Sequence, residues 1–106
     1  MIHVLAIITA KPGQREEILK AFNANSPTVR DEAGCIEYLA TVDARNALPM
    51  QTPFGEDTFV VIEKWRDMEA LRAHAAAPHM AAYSAATRDR IASRTIPILS
   101  PVPAES

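Results

Sequence analysis

The 106-residue chain has a single cysteine, Cys35, so no internal disulfide can form. That points to a reducing compartment, the cytoplasm. Cys35 has no CxxC partner and reads as a buried structural thiol. Basic residues never cluster, and 11 Lys and Arg against 13 Asp and Glu leave a formal charge of −2. The electrostatic footprint of a nucleic-acid binder is therefore missing. No apolar run approaches the roughly 20 residues of a membrane span. The opening MIHVLAIITAKPG has no basic n-region and no small-residue cleavage site, so it reads as a first strand rather than a signal peptide. There is no phosphate-cradling loop, no GxGxxG and no Cys/His metal spacing. His74 and His79 are five apart, not the i, i+4 pair of a helical zinc site. What remains is a chain with 48% hydrophobic residues, enough for one core, and we read residues 1–106 as one domain.

The stretch Thr58–Tyr83, TFVVIEKWRDMEALRAHAAAPHMAAY, organises that domain. It opens as a strand with Phe59, Val61, Glu63 and Trp65 on one face and Val60, Ile62 and Lys64 on the other. Asp67 is placed as a helix N-cap, and Met68, Leu71 and Ala75 form the apolar stripe of a short helix. Pro78 ends that helix and opens another, in which His79 and Tyr83 share a face. Upstream, residues 2–10 form a first strand, Lys11–Gly13 a turn, and about Gln14 to Arg30 a helix buried through Ile18, Leu19, Phe22 and Val29. Pro27 is expected to interrupt that helix, with Ser26 capping a restarted segment, and Gly34 supplies its C-terminal stop.

Cys35–Val42 alternates as a second strand, with Ile36, Tyr38 and Ala40 on one face and Cys35, Glu37, Leu39 and Thr41 on the other. Residues 43–57 are a long connection, either a partner-contacting or functional loop or a mobile one. The last helix is expected to reach about Ala92 on a stripe of Met80, Thr87 and Ile91. Arg94–Ser100 then forms an edge strand, because Pro97 has no N–H to donate.

The order β–α–β–β–α–β predicts an α+β, ferredoxin-like fold, a four-stranded antiparallel sheet with helices on one face. Helices cover only one face, yet the first and third strands are apolar on both. The bare face needs a second copy, and an isologous homodimer is expected.

Several stretches resemble one family throughout: Ala10–Gly13, Glu32–Tyr38, Glu63–Trp65, His74–Ser84 and Ile96–Leu99. The chain resembles the antibiotic biosynthesis monooxygenases of the dimeric α+β barrel group, and within them the small bacterial quinol monooxygenases. The resemblance implies a face-to-face dimer with one cavity per protomer between sheet and helices. It also implies oxidation of a quinol or related polyphenol, a small aromatic substrate, by O2 without metal, haem or flavin.

Such chemistry needs a base, an apolar pocket and donors for a developing anion. His79, near a helix N-terminus that disfavours imidazolium, is a candidate base; its plainer reading is a surface histidine. His74 is the second candidate, or else a cation on a helix C-terminus. Trp65 offers a flat wall with one N–H, against plain core packing. Tyr83 can donate to a substrate oxygen or simply pack. Glu63, if buried, needs a partner. Phe59 and Met80 line a pocket or fill the core. One branch of the group isomerises a phosphorylated dione in quorum-signal breakdown, for which Arg66, Arg72 and Arg88 are available. A haem-degrading branch carries an Asn on its first strand, and residues 1–10 contain none. A non-catalytic ligand-binding barrel is the remaining alternative.

Overall fold

The computed structural model describes residues 1–103, so the last three residues of the expected domain lie outside it. The order is β1 (Ile2–Ala10), α1 (Arg15–Arg30), β2 (Cys35–Thr41), β3 (Thr58–Trp65), α2 (Met68–Ala75), α3 (Pro78–Thr87), β4 (Ile91–Thr95) and β5 (Ile98–Leu99). All pairings are antiparallel, in the order β2-β3-β1-β4, with β5 also on β1. This is the ferredoxin-like α+β arrangement, with the fourth strand of the expectation divided in two.

β1 is buried at every second residue, Ile2 to Ala10, because alternate side chains point to the helices. Its register sets Val4 opposite Glu63, Ala6 opposite Val61 and Ile8 opposite Phe59. Ile18, Phe22 and Val29 of α1 and Leu71 of α2 pack onto this face. Phe22 stacks on Tyr38 at 5.0 Å between ring centroids and meets Phe59 edge-on. The Asp67 carboxylate accepts the Ala70 N–H at 2.9 Å, the expected N-cap. That backbone donor, followed by the Arg66 guanidinium, holds its pKa below the ordinary carboxylate value. Pro78 is the first residue of α3.

Four local expectations need correction. α1 runs unbroken through Pro27. The Asn23 carbonyl that Pro27 leaves without a backbone donor instead accepts the Ser26 hydroxyl at 3.3 Å, so Ser26 repairs the helix rather than restarting it. In β2 a bulge falls between Cys35 and Glu37. One extra residue flips the alternation, which puts Cys35 against the core together with Tyr38 and leaves Ile36 exposed. The last helix stops at Thr87, not Ala92. A 3-10 turn, Arg88–Arg90, follows it, and Ile91 already pairs with Ala10. Pairing with β1 outweighs the helical stripe there. Finally, the C-terminal strand begins at Ile91 and breaks around Pro97, whose carbonyl still accepts the Leu5 N–H at 3.1 Å. It does lie at the sheet edge, as a strand containing proline must.

Gly34 joins the two halves of the structure. Its φ is +83°, and a Cβ there would come within 2.6 Å of the Ala70 Cβ on α2. Only glycine permits both the left-handed backbone and the close approach. In the 43–57 connection the Asp43 carboxylate accepts the N–H groups of Phe54 and Gly55, while Leu48, Met50 and Phe54 stay exposed.

Candidate active site

Between the sheet and α2–α3 lies a cavity of about 480 Å³, within the usual range for a small-molecule site. Its floor is the helix-side face of the sheet: Val4, Ala6, Ile8 and Val61. Its far wall comes from α2 and α3, with Leu71, His74, Met80 and Tyr83, and it is closed by the C-terminal segment through Ile91, Arg94, Ile96 and Ile98. Arg94 reaches this side because it pairs with Ile8, an inward residue.

One corner is polar. Glu63 is buried by the same alternation that buries Val61 and Trp65. Its Oε1 accepts the Trp65 indole N–H at 2.9 Å and lies 3.9 Å from His74 Nε2. Burial raises the Glu63 pKa above the ordinary carboxylate value, although the Trp65 donor and His74 pull the other way. His74, at the end of α2, is buried. Its Nδ1 lies 2.7 Å from Glu32 Oε2, and its ring packs against Trp65 at 4.6 Å between centroids. The other oxygen of Glu32 lies 3.1 Å from His79 Nε2. Two phenols complete the site. Tyr38 meets the His74 ring edge-on at 5.5 Å, and burial, reinforced by the Glu63 charge, holds its hydroxyl protonated well above the usual range. Burial also pushes Tyr83 up to about 12. At neutral pH both are O–H donors.

Of the residues singled out in the sequence, His74, Glu63, Tyr83 and Met80 meet at the cavity wall. The other three do not reach it. His79 stands behind Glu32, with its Nδ1 buried and unpartnered. Trp65 is fully buried behind His74 and Glu63, and Phe59 is buried against Phe22. Sequence reasoning missed Glu32, Tyr38 and Arg94. Alternation puts Tyr38 inward opposite Glu63, a signal that was available. Arg94 becomes visible only once its register with Ile8 is known. Nothing local marks Glu32, which lies in the turn between α1 and β2. Among the described residues no three His, Cys, Asp or Glu side chains are placed to hold a metal ion. Arg66, Arg72 and Arg88 lie off the cavity wall.

Residues 1–86 match the family described as Antibiotic biosynthesis monooxygenase. The chain belongs to that family. It is 38% identical over 103 residues to "Probable quinol monooxygenase YgiN" of Escherichia coli K12, covering 95% of this chain and 98% of the relative. The crystal structure of PA3566 from Pseudomonas aeruginosa superposes with a TM-score of 0.78 at 27% identity, over 96% of this chain and 94% of that one. Rv0793 from Mycobacterium tuberculosis also gives 0.78, at 23% identity over 99% and 98%, and shares the fold. Family membership and the full-length relative support a monooxygenase, an oxidoreductase. Among the described residues no helix is long and apolar enough to cross a membrane.

Proposed function

We propose that the protein is a quinol monooxygenase that needs no cofactor, and that His74 is its base. The observation carrying this reading is a largely apolar cavity with two phenol donors and one histidine ring nitrogen at its polar corner. Triplet O2 reacts slowly with closed-shell molecules, but a deprotonated quinol is electron-rich enough to pass it an electron. His74 takes the hydroxyl proton, Tyr38 and Tyr83 donate to the developing oxyanion, and the apolar floor holds the ring against O2. One oxygen atom enters the ring and the other leaves as water, with the quinol supplying all four electrons. The product is a hydroxyquinone.

The working form is an isologous homodimer in the cytoplasm. Leu5, Ile7, Val60 and Ile62 on the uncovered sheet face are only half-buried, which supports burial by a second copy. The exposed Leu48, Met50 and Phe54 of the long connection support its role as an arm on the partner. The test is oxygen uptake with a reduced naphthoquinol in air. The native protein accelerates it and His74→Ala does not; no acceleration by the native protein on any quinol would overturn the reading.

One observation favours a second reading. Arg94 on the cavity wall suits a phosphate, as isomerisation of a phosphorylated dione requires. Turnover of such a dione, lost in Arg94→Ala, would favour it over quinol oxidation.

A further inference from the structure

Glu32 has no place in the chemistry above, yet both its main chain and its carboxylate are held near the cavity. Its N–H donates to the Val29 carbonyl at 3.0 Å, and its own carbonyl accepts the Cys35 N–H at 3.1 Å. The turn that carries it is pressed onto α2 at Gly34 and Ala70. Its main chain is thus fixed to the helix that bears His74. Its two carboxylate oxygens then meet two different imidazoles, His74 Nδ1 at 2.7 Å and His79 Nε2 at 3.1 Å.

A carboxylate only accepts hydrogen bonds. Facing it, His74 must carry its proton on Nδ1, which leaves the Nε2 lone pair free. His79 likewise presents Nε2–H and so holds the second oxygen of Glu32. We infer that Glu32 is a positioning residue that fixes the tautomer of His74 and stabilises its imidazolium. His79 acts as the brace for Glu32. When His74 Nε2 takes a quinol proton, the new positive charge lies against Glu32, and the proton on Nδ1 stays where it is. The other titratable groups facing His74 are Glu63 on β3 and Tyr38 on β2, and Tyr83 on α3 lines the same cavity. Of these, Glu63 stands 3.9 Å away, beyond hydrogen-bond reach. Among the described residues Arg94 is the one cation on the cavity wall.

The catalytic half of this inference rests on the quinol reading; the tautomer does not. Nitrogen-15 NMR of histidine-labelled protein tests the tautomer directly. The native protein is expected to show His74 protonated on Nδ1, and Glu32→Gln to show it protonated on Nε2. A native Nε2–H tautomer, or an unchanged tautomer in a folded Glu32→Gln protein, would overturn the inference. Kinetics then test the role. Glu32→Gln should lower kcat about 10–100-fold. Glu32→Asp keeps the charge and should recover part of kcat. A Glu32→Gln enzyme with native kcat, its fold intact by circular dichroism, would also overturn it. If Glu32→Gln does not fold, the native tautomer carries the test alone, Nδ1–H supporting the inference and Nε2–H overturning it.

Discussion

On the helix side of the sheet, Val4, Ala6, Ile8, Phe59 and Val61 are buried, whereas on the other side His3, Leu5, Ile7, Val60 and Ile62 keep partial exposure. The same strands supply both sets, one residue out of step. The first set does two jobs, packing the core under α1 and α2 and flooring the cavity. The second set is comparably apolar but is left half-exposed by the described residues. One face is a completed interior with a hole in it, and the other is the surface that the proposed dimer would bury. Substitutions on the first should therefore disturb chemistry or folding, and those on the second association.

The largest effect expected is on chemistry. His74→Gln should lower kcat on a reduced naphthoquinol by about 10²–10⁴-fold, measured by oxygen uptake, with the fold retained. Phe22→Ala removes a ring that touches Tyr38, Phe59 and Tyr83. It should cost about 3–5 kcal/mol in urea unfolding, with the fluorescence of Trp65 as probe. On the opposite face, Ile62→Glu should leave that monomer stability nearly unchanged. It should weaken the proposed dimer by about 3 kcal/mol or more, because an unpaired charge would then be buried in its interface, and sedimentation equilibrium reads this out. Equal damage from Ile62→Glu to monomer unfolding would erase the distinction between the faces.

Two smaller effects sharpen it. Gly34→Ala forces a side chain onto a left-handed backbone against Ala70 and should cost about 1–3 kcal/mol. Glu63→Gln should raise Tm slightly at pH 7. The raised pKa of Glu63 means that the folded protein disfavours its ionised form. The penalty is absent below the ordinary carboxylate pKa of about 4.3 and develops as pH rises through the folded value. The gain in Tm should therefore vanish near pH 4.

Much of this was readable from the residues. Alternation in β1 and β3, the Asp67 cap and Pro78 are local signals, and local signals gave the element order and the two-faced sheet. Glu63 and His74 were reachable because one sits on an inward strand position and the other ends an amphipathic helix. What escaped was set by contacts distant in sequence. The Pro27 break failed because a neighbouring hydroxyl took the orphaned carbonyl. The end of the last helix failed because Met80, Thr87 and Ile91 keep helical spacing even where the chain turns to pair with β1. Glu32 is 42 residues from His74 and 47 from His79, so no window along the chain brings them together. His79 shares a helix with cavity residues but turns behind Glu32, which spacing alone does not resolve.

The central claim is that the reaction takes place on the helix side of the sheet. A crystal structure with the oxidised quinone bound tests it most directly. The account predicts the ring on Val4, Ala6 and Val61, with one carbonyl oxygen within hydrogen-bond reach of His74 Nε2. A quinone seated against Leu5 and Ile62 instead, with the cavity unoccupied, would contradict it.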